Sequence, residues 1–433
     1  MATGEDRSKW GATIQGDSAN MADSFEVQLS YTGKKSPERI LDHPASPAEL
    51  VWHGTPTCSN PNLLYYGDNL DLLASLLRHT QLQSQIKLIY IDPPFATQKI
   101  FKSRTRNNAY HDLLTGAHYL EFMRERLVFL RELLAQDGSI YVHLDDNMVF
   151  HIKLIMDELF GRSNFRSFIT RRKCNPKNYT RRQYGNVSDY ILFYTKSNQY
   201  IWNRPHHDWT DEHSHQEYLY VEKHTGRRYK KVPLHAPGER NGMTGQAWRG
   251  MLPPLGKHWQ YTPETLEQMD QRGEIYWSSN GNPRRKIYLD ESQGIPIQDI
   301  WLDVKDAHNQ NIKVTGYPTE KPTELLRRII QASSQEGDLV LDCFAGSGTT
   351  LTVASELNRS WIGMDNSLEA LKTILKRFAF GLEAMGDFTH KTSPDTNQPS
   401  LPMFDKHQGI RNFELHTFPY LVSELQPLLP LLD

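Results

Sequence analysis

The chain has 433 residues, of which 38% are hydrophobic and 23% charged, and a formal charge of −2. Its length suits about two to three domains or one elaborated domain with a sizeable core. Cys58, Cys174 and Cys343 are too widely spaced for a disulfide framework or a zinc knuckle. No apolar run reaches the roughly 20 residues of a bilayer crossing, and the polar N-terminus lacks the apolar core of a secretory signal. The expectation is a cytoplasmic protein without membrane contact.

In chain order, residues 1–61 are rich in Ser, Pro, Asp and Gly and read as a flexible arm. YYGDNLDLLASLLRHT predicts a short strand and turn feeding an amphipathic helix with Leu70, Leu73, Leu76 and Leu77 on one stripe. IKLIYI is a buried strand ending abruptly at Asp92-Pro93-Pro94-Phe95. A polar loop covers 101–116, and HYLEFMRERLVFLRELLAQDGS predicts a helix ended by Asp137-Gly138. SIYVHL is a strand, NMVFHIKLIMDELFG a helix, and DYILFYTK a further strand. Residues 62–196 form one half of an α/β domain on this reading. The periodic grammar then fails: 197–311 is dominated by Trp, Tyr, His, Gly and Pro and reads as an inserted module. Regularity returns over 312–388, with the helix PTEKPTELLRRIIQASS opened by Thr319 and Pro322, the strand DLVLDCF, a glycine turn, a helix and the strand SWIGMD. Residues 389–433 read as a linker and a tail of weak helical character. Alternating strands and helices on both sides of the insert predict one doubly wound α/β domain interrupted by a second module. Ligands bind such sheets beyond the carboxyl ends of the strands, which places the DPPF and AGSG turns on one rim.

The turn Asp342-Cys343-Phe344-Ala345-Gly346-Ser347-Gly348-Thr349 joins a strand to a helix, and its glycines permit close backbone approach to a ligand. No lysine follows the second glycine, as a phosphate loop requires, and the third glycine of a dinucleotide fingerprint is missing. Asp365 closes the next strand at about the 20-residue offset from which an acid reaches a ribose. A nucleoside without a pyrophosphate fits; the competing role for Asp365 is a helix N-cap. At the other turn, two prolines fix φ and remove two backbone donors, leaving an acceptor-only cluster of the Asp92 carboxylate and the Pro93 carbonyl. Such a cluster suits an exocyclic amine, whose two hydrogens it accepts while the lone pair localises. Phe95 supplies a flat face for an extruded base.

LIYIDPPF and DCFAGSGTT together resemble the S-adenosylmethionine-dependent amino-methyltransferases of DNA, whose motifs are [DNS]PP[YFW] and FxGxG. The segments YYGDNLDLL, YLEFMRERLVFLRELLAQDGSIYVHLDDN and GYPTEKPTELLRRIIQASS also look like family segments. The catalytic motif precedes the cofactor motif, the order of the family's β class. The resemblance covers roughly 63–195 and 316–380, and the insert lies outside it. It implies a Rossmann-like methyltransferase sheet with a target-recognition insert, S-adenosylmethionine as cofactor and double-stranded DNA as substrate. Asp92, Pro93, Pro94 and Phe95 would then be catalytic. Gly346, Ser347 and Gly348 would pass under the methionine part of the cofactor with Asp342 near its amino group. Phe344, Ala345 and Thr349 would also bind the cofactor, Asp365 would hold its ribose and Asp68 would lie near its adenine. Thr319, Lys321 and Pro322 match a motif beside the cofactor tail, where Lys321 would meet the carboxylate. Ser188-Asp189-Tyr190 departs from the His-Asp common in relatives, so no histidine role is assigned there. Cys343, where proline is common, reads as a small buried thiol. The family's chemistry is direct in-line transfer to adenine N6 or cytosine N4, and Asp before PPF favours adenine.

The acid-free run containing Arg171, Arg172, Lys173, Lys177, Arg181 and Arg182, and the cluster Arg227, Arg228, Lys230 and Lys231, are candidate DNA contacts. Trp209, Trp248 and Trp259 accompany them as aromatics, and DNA would bring the protein to the nucleoid. For each arginine the competing role is an ordinary surface residue. His206, His207, His213 and His215 lack nearby cysteines or a helical pairing pattern, so no metal is expected. Gln398, Leu401 and Phe404 have the spacing of peptides that dock on sliding clamps, with a plain linker as the bland alternative. A homodimer and a cognate restriction endonuclease are further partners that the resemblance implies. The rival functions are transfer to cytosine N4, to RNA or to a protein amide, and a catalytically vestigial DNA-binding subunit.

Overall fold

The computed structural model describes residues 27–54, 62–94, 100–102, 108–111, 116–176, 182–306, 320–381 and 412–432. The chain divides into two compact units, one of 1–203 with 298–433 and the other of 204–297. The larger unit is built on strands β1 (Glu49–His53), β2 (Asn62–Tyr66), β3 (Ile86–Ile91), β4 (Leu134–Leu144), β5 (Phe165–Arg172), β6 (Ser188–Thr195), β7 (Ile300–Trp301), β8 (Leu339–Asp342), β9 (Ser360–Asp365) and β10 (Phe413–Thr417). Its principal helices are α1 (Asn69–His79), α2 (Ala117–Leu133), α3 (Val149–Phe160), α4 (Thr323–Ser333), α5 (Thr349–Glu356) and α6 (Leu368–Phe380). The strands form one ten-stranded sheet in the order β1-β10-β2-β9-β8-β3-β4-β6-β5-β7. From β10 to β4 every neighbouring pair is parallel, whereas β6 runs antiparallel to both β4 and β5. This is a doubly wound α/β sheet.

The central strands are buried on both faces: every residue of β3 except Lys87 is buried, the pattern expected of a parallel strand covered by helices. Ile89 and Ile91 join a core with Leu72, Leu73 and Leu76 of α1, Met123 and Leu127 of α2 and Ile152 and Met156 of α3. Leu325, Leu326, Ile329 and Ile330 form the buried stripe of α4.

Several boundaries differ from the sequence reading. β4 begins at Leu134, so LAQDG is strand rather than the end of α2, and a register break between Ile86 and Leu88 accommodates it. The arm expected over 1–61 contains β1 and a one-turn helix, Pro37–Leu41, whose Ile40 is buried in the core. The tail expected over 389–433 contributes β10, which lies between β1 and β2. Thr319 and the clamp-like Gln398, Leu401 and Phe404 lie outside the described residues; Pro322 is the N-cap of α4. The insert expected over 197–311 is compact only over 204–297. Asn203 N–H donates to the Ala332 carbonyl of α4 and Ile300 pairs with Thr170 of β5, which ties both flanks to the larger unit.

The smaller unit has its own four-stranded antiparallel sheet of Tyr220–Val221, Arg228–Pro233, Pro283–Tyr288 and Ile275–Trp277. Leu234, Trp248, Trp259, Leu266, Met269 and Ile275 form its core. Trp248 and Trp259 are therefore core residues rather than a DNA-facing surface. Among the described residues no helix is long and apolar enough to cross a membrane, and no cluster of metal-ligating side chains occurs.

Candidate active site

β8 pairs with β3 through Leu341 opposite Ile89, so Asp342 and Asp92 leave the same rim of the sheet on adjacent strands. Two turns far apart in sequence thus become neighbours by topology alone. Asp92 Oδ2 lies 2.6 Å from Lys321 Nζ. Its other oxygen, Oδ1, is buried and has no hydrogen-bond partner. Buried polar atoms in that state are uncommon in folded proteins, and the lost hydrogen bond costs about 1–3 kcal/mol. The sequence reading gave Lys321 to the cofactor tail, whereas the structure places its ammonium on the catalytic-motif carboxylate. Phe95, the ring of that motif, lies outside the described residues.

The glycine turn is shaped by backbone requirements. Gly346 and Gly348 have φ of 50° and 73°. A Cβ on Gly348 would stand 2.9 Å from Ile374 Cγ1 of α6, so this position needs glycine for both conformation and space. Three carboxylates surround the turn. Asp342 accepts from Phe344 N–H at 3.0 Å and from the Thr350 hydroxyl at 2.5 Å. Burial nevertheless pushes it up to about 7, and the charges of Asp92 and Asp365 add to the rise. Asp365 accepts from Gly346 N–H at 2.8 Å and Ser367 N–H at 2.9 Å, and burial pushes it up to about 6 against those bonds. The helix N-cap beyond it is Ser367, so Asp365 braces the glycine turn instead of capping α6. Asp68 stands at the end of β2, whose Tyr66 is level with Asp365. It caps α1 through Leu70 N–H and holds Arg126 Nη2 at 3.0 Å. Arg126 in turn lies 3.6 Å over the Phe122 ring, which packs against Phe344.

Thr349 donates to the Lys321 carbonyl at 3.3 Å. Arg377 Nη1 donates to Thr349 Oγ1 at 2.9 Å, to the Ser347 carbonyl and to Glu320. The segment carrying Lys321 is therefore bound to the glycine turn. Ala345 is buried and its N–H donates to the Met364 carbonyl of β9. Cys343 is fully buried, with burial pushing its thiol well up, which suits a packing role.

A buried polar row crosses the sheet beneath Asp92. The Tyr90 hydroxyl is 2.8 Å from His143 Nδ1, and His143 Nε2 is 2.8 Å from Asp189 Oδ2. That second contact is close but off the line of a good hydrogen bond, since Nε2 has no well-aligned acceptor. Arg171 grips Asp189 with Nε at 2.9 Å and Nη2 at 2.8 Å, and reaches the Val304 carbonyl and Asp306. Arg171 is 0% exposed, which corrects its assignment as a phosphate contact: in the β5 pattern its side chain points inward with Ile169. Sequence reading singled out Asp189 only as a departure from the family's His-Asp, and it missed His143 and the row that joins them. Their signal is the inward alternation of YVHL with Tyr141, which places His143 on the Tyr90 face.

The other candidate DNA contacts divide. Arg172 and Lys173 are half-buried and Arg182 is exposed, while Lys177 and Arg181 lie outside the described residues. In the smaller unit, Arg227 is engaged by Asp290 and Glu291, and Lys230 lies 3.4 Å from Glu217. Arg228 is half-buried. Lys231 sits over the rings of Tyr220 and Tyr276 at 3.5 and 3.3 Å. Strand register puts Lys231, Lys286, Arg284 and Tyr229, Tyr276 and Tyr288 on one sheet face.

A doubly wound sheet with a glycine turn and a proline-stiffened carboxylate on neighbouring strand ends is the architecture of a methyltransferase domain. Residues 86–376 match the N6/N4 methyltransferase family model, described as DNA methylase. The type II methyltransferase M.EcaI of Enterobacter cloacae is 47% identical over 402 residues, covering 92% of this chain and 87% of that protein. The StyLTI Mod subunit of a type III restriction-modification enzyme of Salmonella typhimurium is 30% identical, covering 69% of this chain and 50% of that protein. Among solved structures, the M1.HpyAVI–SAM complex is 16% identical with a TM-score of 0.39, covering 73% of this chain and 98% of that one. The chain belongs to the N6/N4 DNA methylase family.

Proposed function

We propose that the protein is a site-specific DNA methyltransferase that transfers a methyl group from S-adenosylmethionine to adenine N6 by direct in-line attack on a flipped-out base. The single observation that carries this reading is the buried, unpartnered Asp92 Oδ1 on the rim beside the glycine turn. An oxygen of that kind is an acceptor waiting for a donor, and an exocyclic amine brings two.

The donor set fits a cationic nucleoside cofactor. Asp342, pushed up to about 7 by burial, regains its charge when an ammonium lies beside it. Asp342 and the 344–349 turn would hold the amino-acid end, Asp365 the ribose and Asp68 the adenine. S-adenosylmethionine supplies the electrophilic methyl group. Asp92 Oδ1 and the Pro93 carbonyl accept the two amine hydrogens and localise the nitrogen lone pair. Asp92 then stands where the departing proton can be received. The stiff Pro93-Pro94 backbone holds these acceptors without reorganisation, and Phe95 stacks on the extruded base. On the DNA side, Lys231 with the exposed Arg284 and Arg182 are the proposed backbone contacts. A homodimer and a cognate restriction endonuclease belong to the same reading.

The test is mass spectrometry of nucleosides from DNA incubated with the protein and isotopically labelled cofactor. Labelled N6-methyladenine is expected, and Asp92→Ala should abolish it while cofactor still binds. Labelled N4-methylcytosine would instead establish the cytosine reading, and no labelled base at all would leave a vestigial DNA-binding subunit.

A further inference from the structure

We propose that Lys321 is a positioning residue acting through Asp92: its ammonium holds one carboxylate oxygen so that the other is turned toward the substrate amine. This rests on the reading of Asp92 given above.

The two oxygens of Asp92 have unlike surroundings. Oδ2 is 2.6 Å from Lys321 Nζ, whereas Oδ1 is buried and unpartnered. The Lys321 side chain is 9% exposed and that of Asp92 18%, so water competes weakly for the pair. A carboxyl group free to rotate would bring either oxygen, or a protonated face, to the amine. An ammonium on Oδ2 removes that freedom and matches the acceptor-only form of the group.

Lys321 is itself braced. Its carbonyl accepts from Thr349, and Thr349 is held by Arg377, which also binds the Ser347 carbonyl. Pro322 follows, which confines Lys321 to extended backbone and fixes the start of α4. The lysine therefore spans from the cofactor turn to the catalytic carboxylate and sets their separation. Charge supports the same assignment. Asp342 on the neighbouring strand end is raised partly by the charge of Asp92, and a cation at Asp92 relieves that repulsion.

This differs from a lysine whose main business is the cofactor tail, and the two separate by experiment. Lys321→Met and Lys321→Arg are compared with wild type for cofactor affinity by calorimetry and for kcat at saturating cofactor. A positioning role predicts cofactor Kd within about 2-fold in both variants, kcat falling roughly 100-fold in Lys321→Met, the scale of a small misplacement, and partial recovery in Lys321→Arg. Cofactor affinity weakened tenfold or more with kcat intact at saturation overturns it. A second measurement needs neither cofactor nor turnover: the urea midpoint of Lys321→Met in the wild-type and Asp92→Asn backgrounds. The lysine's effect should be at least halved when Asp92 is already neutral. Additive effects overturn the proposal even if the enzyme proves to methylate adenine. Absence of any transfer by wild type would strike the functional reading alone, leaving this cycle to decide the pairing.

Discussion

Replacing Asp189 by alanine should cost far more stability than the reading of its partner Arg171 as a DNA-facing surface residue suggests. The carboxylate is 2% exposed and the Arg171 it binds bidentately is 0% exposed. Removing one partner of a buried ion pair leaves an uncompensated charge and costs about 3–5 kcal/mol. Asp306 still touches Arg171 Nη2, but its side chain is 36% exposed and so replaces only part of the lost interaction. A loss of about 3–4 kcal/mol follows, a drop in melting temperature of roughly 6–16 °C at ~2–4 °C per kcal/mol. The pH dependence carries a definite sign. Burial alone would raise Asp189, but His143 and Arg171 outweigh it and hold the carboxyl well below the usual range. Its contribution is thus complete above the unfolded value of about 4 and fades as pH falls through the folded value. The difference between wild type and Asp189→Ala should be full at pH 7 and shrink in acid. Differential scanning calorimetry with a urea series at both pH values measures it. The double variant Asp189→Leu, Arg171→Met, which restores an apolar match, should recover most of the loss. A loss below about 1 kcal/mol for Asp189→Ala at pH 7 would refute the buried pair and return Arg171 to the DNA surface.

Gly348→Ala should destabilise the larger unit by roughly 1–2 kcal/mol from the left-handed backbone alone, with more from Ile374 Cγ1 at 2.9 Å. Ile374→Ala empties a buried position and is costly alone, but it should shrink the Gly348→Ala penalty. Melts of both single variants and the double variant separate crowding from backbone strain. Asp342→Asn should raise the melting temperature of the cofactor-free protein at pH 8 and by less at pH 5. The folded carboxyl is pushed up to about 7, so its ionisation penalty grows between the unfolded value near 4 and 7 and is constant above. The same variant should weaken cofactor binding by calorimetry, and a lower melting temperature at pH 8 would contradict the assignment. Lys231→Ala with Arg284→Ala should lower DNA affinity and flatten its salt dependence by about two phosphate contacts, measured by fluorescence anisotropy across a salt series. An unchanged slope would remove this face from the interface.

What the sequence could show depended on how far each signal reached. IKLIYI and DLVLDCF are short apolar runs closed by turn residues, and strand ends in an α/β sheet share a rim, so the partnership of Asp92 with the glycine turn was legible before any coordinate. The pairing of Lys321 with Asp92 was not, because it joins positions 229 residues apart and no local pattern encodes such a contact. Arg171 shows a different failure. A run of basic residues suggests an electrostatic surface, but in a strand successive side chains point to opposite faces, so Arg171 is buried while Arg172 is half-exposed. Counting charge without applying the period of two treats the pair alike. The tail failed for want of length: FELHT alternates over five residues after a long polar stretch, too little to outweigh the linker composition around it. Its alternation acquires meaning only beside β2, where Phe413 and Leu415 are buried in the sheet. The nearness of the two turns was thus readable because strand termini alone specify it. Where an acid meets a base across the fold, the distinction between a DNA-facing arginine and a structural one belongs to side-chain direction, which only the assembled sheet supplies.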